Sequence, residues 1–303
     1  MDKRFPLVAK VYLGIVMAVS WLLQIAILVL QGGFTSGAIE LTDVQRIGLT
    51  ICMFSPGIIL LLFCAFKRIA LRDIGIRPLR PLYWVIACGV VSALQGLTFI
   101  SIIGFCDYPS FTAANGVWGI TGVATILGYP NPPALFVINT IGTMVLSVVI
   151  SIPQALGEEL AWRGYLQKLF VERFGVVRGL VALGVVWGLF HVPINLAGYN
   201  FQGIPPWIGA FIFMPISCIA LSAVFGWILI KSKSAWAAAA AHATFNSAEL
   251  LIFLAIPRID ALTFNTIILV VQILAGAFFI WRISKLLDPG KAQPYLKNCP
   301  HDL

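Results

Sequence analysis

Eight stretches of this 303-residue chain run for about twenty residues with almost no charged side chain. A helix needs about 20 apolar residues to cross the hydrocarbon core of a bilayer. The spacing predicts membrane helices at about 11–31, 47–66, 82–105, 134–157, 179–198, 206–230, 235–256 and 262–281. The chain is 60% hydrophobic and only 11% charged, whereas an average soluble domain is about 25% charged. That excludes a soluble fold. The expected class is all-α, a polytopic membrane helix bundle with about eight transmembrane helices. No hydrophilic stretch is long enough for a second unit, so residues 1–303 are expected to form a single membrane domain. The first apolar run is too long for a signal peptide, and no small-x-small cleavage site follows it.

The net charge of +8 does not point to nucleic acid, because the basic residues sit in the short segments between apolar runs. They also alternate. All of the 20 Lys and Arg residues except Arg46 and Arg258 fall on one side of the predicted topology. The side rich in Lys and Arg faces the cytoplasm, so both termini are expected there, and the expected setting is the bacterial cell membrane. The cysteines, Cys52, Cys64, Cys88, Cys106, Cys218 and Cys299, form no C-x-x-C pair and mostly lie within spans. Neither a disulfide framework nor a thiolate metal site is indicated. Cys299 is also misplaced for a prenylation box at the chain end.

Against this apolar background a few polar residues stand out. Glu158 and Glu159 close the fourth run, and Glu159 and Arg163 are i, i+4 if the helix continues, acid before base. Glu158 lies about 100° further round such a helix and has no obvious match. Residues 164–178 read as an amphipathic helix at the cytoplasmic interface that can continue the fourth span, with Leu166, Leu169, Phe170, Phe174 and Val177 at helical spacing and Gln167, Lys168, Glu172 and Arg173 between them. His191 falls in the fifth span, two residues before Pro193, which lacks an N–H and frees a backbone carbonyl nearby. His242 and Asn246 share a helix face, with Glu249 two turns along it, after the small residues Ala237 to Ala241. Taken singly, each has a bland explanation: a membrane boundary for the glutamates, an interhelical hydrogen bond for His191, a packing seam for His242. Taken together, they bring acids, imidazoles and an amide to the cytoplasmic half of the bundle, the groups that activate water and stabilise an oxyanion.

The three clusters resemble, in order, the motifs of the CAAX protease and bacteriocin-processing (Abi) family of membrane proteases: Glu-Glu-x-x-x-Arg at Glu158–Arg163, Phe-x-x-x-His at Trp187–His191 with Trp for Phe, and His-x-x-x-Asn at His242–Asn246. The resemblance covers residues 135–255. It implies an all-helical intramembrane endopeptidase acting on a membrane-associated protein or a peptide, whether prenylated or a leader peptide. Glu158 and His191 would activate a water, His242 and Asn246 would stabilise the oxyanion, and Glu159 would pair with Arg163. Metal use is left open: no cofactor is certain, and a divalent ion such as zinc would take Glu158, His191 and His242 as ligands. Two readings from other classes stay beside it, a non-catalytic membrane partner such as a bacteriocin-immunity or assembly protein, and a proton-coupled carrier. No sequence repeat supports the carrier. The topology is directly testable. A reporter active only in the cytoplasm, fused after Leu303, is expected to be active; activity confined to an externally active reporter would overturn the charge-based orientation.

Overall fold

A computed structural model describes residues 6–29, 43–67, 69–103, 111–114, 117–120, 133–201, 203–255 and 259–287. Both chain ends, with Cys299, lie outside these residues, as do Cys106, Arg258 and the side chains of Arg46 and Glu249. The protein is a polytopic helical bundle. Its helices are α1 (Leu7–Val29), α2 (Asp43–Lys67), α3 (Pro81–Ile103), α4 (Pro133–Glu159), α5 (Gln167–Phe174), α6 (Val176–Phe190), α7 (Val192–Leu196), α8 (Met214–Ser232), α9 (Ala235–Ala255) and α10 (Ala261–Leu286). Among the described residues the only β-structure is a hairpin pairing Phe111–Ala114 antiparallel with Val117–Ile120, within the connection between the third and fourth runs.

Among the described residues, six helical segments are long and apolar enough to cross a membrane. They correspond to six of the eight predicted spans. The other two predicted spans fall on α6, which has only 15 residues, and on the alanine-rich α9. Two boundaries differ from the sequence reading in ways that matter. The fourth helix runs past residue 157 into the segment that the sequence offered as its continuation. It continues without interruption to Phe174, through a π-helical turn at Leu160–Leu166, where Gln167 donates its backbone N–H five residues back to Trp162. The fifth span is not one helix. It breaks at His191, whose φ of −90° and ψ of 3° separate α6 from the short α7. Pro193 causes the break, because it has no N–H to give to Leu189 and its ring crowds the preceding turn.

Residues 164–178 are only partly amphipathic, with Leu166, Leu169 and Phe170 inside and Glu172 and Arg173 outside. Gln167, Lys168, Leu169, Phe170 and Val171 are all buried, while Phe174 and Val177 are exposed. The polar residues of this segment are accommodated inside: the Gln167 side chain covers Gly226 of α8, and the Lys168 ammonium donates to the Asp73 carbonyl. Gly175, with φ of 77°, then turns the chain into α6.

The bundle is polar at its centre and apolar outside. Glu158, Glu159 and Arg163 are 1%, 0% and 0% exposed, whereas Leu62, Ile150 and Leu274 are each more than 60% exposed on outward faces. Hydrocarbon solvates such side chains well, so association inside a bilayer rests on close packing and polar contacts rather than on apolar burial. Small residues supply the packing. A Cβ on Gly57 of α2 would stand 2.6 Å from the Gly157 carbonyl oxygen, and a Cβ on Gly157 would meet the Met53 carbonyl at the same distance. Gly184 and Gly188, one turn apart on α6, lie against the backbone of Ile219 and Pro215. Ala237 to Ala241 of α9 are all fully buried, and α9 packs against both α4 and α3. Polar seams add to this, with Ser20 and Ser55 joined at 2.8 Å and the Tyr12 hydroxyl donating to the Pro56 carbonyl at 2.9 Å.

The crossing at Gly57 and Gly157 sets the position of the adjacent glutamates. Gly57→Val should force α2 and α4 apart, costing about 1–3 kcal/mol or more as an overpacked contact. Thermal unfolding in detergent would read this as a lowered Tm. An unchanged Tm would mean that the two helices are not held at this distance.

Candidate active site

The site is built where α4 gives way to the π-helical turn. Such turns are single insertions into an α-helix and recur at functional positions. Here the insertion carries Trp162 and Arg163 just past Glu158 and Glu159, and every residue from Gly157 to Val171 is buried.

The two glutamates are engaged differently. Glu159 Oε1 accepts from Arg163 Nη1 at 3.0 Å and lies 2.9 Å from Nδ1 of His242 on α9. The i, i+4 pair expected from the spacing is present, and a histidine joins it. The Glu159 carboxylate accepts from the guanidinium, and on the same oxygen His242 Nδ1 is the donor. Its other ring nitrogen, Nε2, is left for a different partner. The Arg163 guanidinium lies 3.9 Å above the Trp187 ring and 5.2 Å from that of Phe225, and His242 stacks on Phe225 at 5.4 Å. Cation–π contact of this kind strengthens when desolvated.

Glu158 is not unmatched, as the helical wheel suggested. Its Oε2 accepts from the indole N–H of Trp187 at 2.7 Å and of Trp162 at 3.3 Å. Its Oε1 carries no hydrogen bond among the described residues. Trp187 is thus more than an aromatic filling the place of a Phe. Its indole holds the first glutamate, its ring covers Arg163, and its backbone carbonyl lies 2.9 Å from His191 Nδ1. A phenylalanine here would keep the ring and the carbonyl but lose the hydrogen bond to Glu158. Since a carbonyl only accepts, His191 Nδ1 is the donor, and Nε2 keeps its lone pair.

Glu158, His191, His242 and Asn246 all line one cavity of about 630 Å³. It opens between α2, α4, α6, α8, α9 and the start of α10, and Gln24, Gln154, Ser217 and Asn265 add polar groups to a largely apolar wall. His191 is half-buried and Asn246 exposed within the structure, while Glu158 and His242 are nearly covered. Glu159 and Arg163 do not line the cavity; they stand behind it. The arrangement therefore offers an acceptor oxygen on Glu158, an acceptor nitrogen on His191 and donor capacity on Asn246, with His242 held beside them through Nδ1. As a zinc set, Glu158, His191 and His242 have the right chemistry. Among the described residues, however, no three His, Cys, Asp or Glu side chains gather closely enough to hold one ion.

Sequence reasoning did not find the indole donors Trp162 and Trp187, nor the polar side chains that α1 sends to this region. Trp21 Nε1 donates to the Leu189 carbonyl at 3.0 Å, and Gln24 Nε2 donates to the Phe190 carbonyl at 2.9 Å. A glutamine in the middle of an apolar span was the available signal.

The Arg163–Glu159–His242 chain should be costly to interrupt, because removing one member leaves a buried charge. Arg163→Ala is expected to destabilise the fold by about 3–5 kcal/mol, measured as a lower yield of monodisperse protein and a lower Tm in detergent. Wild-type stability in that variant would show that Glu159 needs no partner.

The family match falls on this same part of the chain. Residues 139–248 match the family described as Type II CAAX prenyl endopeptidase Rce1-like. The chain is 25% identical over 80 residues to the CAAX prenyl protease 2 of Methanococcus maripaludis, a stretch that makes up 25% of this chain and 29% of that protein. Residues 139–248, which carry all three motifs, are thus similar to the Rce1-like CAAX protease family, and the match to the curated relative spans less than a third of that protein's length.

Proposed function

We propose that this integral, multi-pass membrane protein is an endopeptidase of the CAAX-protease kind, hydrolysing a peptide bond of a membrane-associated protein or peptide with a Glu- and His-activated water. The observation that carries this reading is the convergence of Glu158, His191, His242 and Asn246 on one cavity of about 630 Å³. Each group is held in a state that suits a step. Glu158 has both indole N–H bonds on Oε2, so Oε1 accepts the proton of the attacking water. His191, with Nδ1 committed to the Trp187 carbonyl, orients that water through Nε2. Attack on the scissile carbonyl places negative charge on its oxygen. Asn246 donates to that oxygen through its amide, and His242 through Nε2–H when its imidazolium is paired with Glu159. Glu158 then returns its proton to the leaving amine, and the C–N bond breaks. Glu159 and Arg163 hold His242 in place and do not touch the substrate.

The substrate is a protein or peptide, and a prenylated C-terminal peptide and an unmodified leader peptide are the two forms to assay. The orientation that goes with this proposal has both termini and the mouth of the cavity on the cytoplasmic side, in the bacterial cell membrane. No nucleic acid takes part.

Purified protein, a panel of prenylated and unprenylated fluorogenic peptides, and an added chelator make the test. Glu158→Ala is expected to abolish cleavage. Asn246→Ala is expected to lose about 10²–10³ in rate, as when one oxyanion donor is removed. Full cleavage by Glu158→Ala would refute the mechanism. Loss of activity with chelator and its recovery with zinc would instead make Glu158, His191 and His242 metal ligands. Binding of a peptide without its cleavage, unaltered by Glu158→Ala, would leave a non-catalytic membrane partner.

A further inference from the structure

The break at His191 leaves backbone groups that an unbroken helix would have paired. Pro193 has no N–H for the Leu189 carbonyl. Ile194 N–H does not reach the Phe190 carbonyl, the bond an α-helix would make. Buried groups of this kind cost free energy unless another partner is found. Side chains of α1, more than 160 residues away in sequence, supply partners to each of them. Trp21 Nε1 donates to the Leu189 carbonyl at 3.0 Å. Gln24 does two things at once: its Nε2 donates to the Phe190 carbonyl at 2.9 Å, and its Oε1 accepts from Ile194 N–H at 3.2 Å. The glutamine amide thus stands in the gap of the helical ladder, donor to the upper carbonyl and acceptor from the lower N–H. It is 2% exposed, in the middle of an apolar helix.

We propose that Gln24 is a positioning residue for His191: the α1 amide splints the α6–α7 break and so fixes where the imidazole enters the cavity. The inference rests on the protease reading only in giving His191 a task. Geometrically it needs no substrate. His191 is the hinge residue itself, lying between the two groups that Gln24 bridges, and its ring is held by one further bond, from Nδ1 to the Trp187 carbonyl in the last turn of α6. If the end of α6 moves, the carbonyl moves, and the ring nitrogen facing the cavity moves with it. Gln24 lies outside residues 139–248, so the family match does not assign it any part.

The chain has only three histidines, His191, His242 and His301, so selective ring labelling gives three imidazole signals that NMR can follow in the full-length protein in detergent. Wild-type His191 should show one ordered ring with the proton on Nδ1. Gln24→Met keeps length and apolar fit but removes both bonds. It is expected to shift or broaden the His191 signal while leaving His301 unmoved, and to lower kcat by about 10²-fold, the scale of a misplacement near 1 Å, with KM little changed. A purely structural role would lower the Tm but leave the His191 signal and the kcat of the folded fraction as in wild type, and that result would overturn the proposal. Should Gln24→Met fail to fold, Trp21→Phe decides, since it frees the Leu189 carbonyl from a partly exposed position. It should move the same signal in the same direction by less, and an unmoved signal there refutes the splint. If the wild type cleaves none of the peptides, the protease reading falls, while the ring signals still decide the splint.

Discussion

A carboxylate, a guanidinium and an imidazole in line at the centre of a membrane protein set the terms for everything around them. Removing an ion from water costs several kcal/mol after relaxation, and attraction offsets that only with close geometry. Glu159, Arg163 and His242 have such geometry, at 3.0 and 2.9 Å, with both members of the Glu–Arg pair fully buried. Their surroundings are shaped by the same need. The Trp187 and Phe225 rings cover the guanidinium, whose Nε and Nη2 have no hydrogen-bond partner among the described residues. The alanines of α9 let it approach α4 closely enough for His242 to reach Glu159. Since these groups come from α4, the π-helical turn and α9, their pairing fixes how the motif-bearing helices meet. The rest of the site is hung from that joint.

The cavity wall shows a division of labour between adjacent residues. Glu159 faces the buried cation and Glu158 faces the cavity, although the two are neighbours in sequence. Indole donors make this possible. A tryptophan N–H fixes a carboxylate oxygen without adding a charge, so Glu158 is oriented while its second oxygen stays available. Both histidines follow the same rule, with one nitrogen tied to the protein and the other left over.

The apolar runs and the positions of the polar residues could be read from the sequence because a bilayer imposes a length and penalises charge. The Glu159–Arg163 pair could be read because helix geometry puts i and i+4 on one face. What could not be read came from tertiary contact. The helical wheel left Glu158 without a match because its partners are indoles, one of them 29 residues away on another helix. Gln167 and Lys168 looked like a solvated face, yet a glycine on α8 and a free carbonyl at Asp73 take them inside. Pro193 did signal a disturbance near His191, but nothing local could say that it would end the helix, or that α1 would supply the missing bonds.

The π-helical turn at Leu160–Leu166 also acts as a phase shifter. Each residue of a helix advances the chain by about 100° around the axis, so one inserted residue rotates all of α5 relative to α4. With it, α4 points Glu158 and Glu159 inward while α5 sends Gln167 and Phe170 inward and Glu172 and Arg173 outward. Without it, the two halves of this continuous rod could not both face the interior: either the acids would swing towards lipid or the α5 face would. The register of this segment is therefore set by its number of residues as much as by their identity. A side chain here can be exchanged at a local cost, but losing a single residue would break the alignment between the acids and the wall they complete.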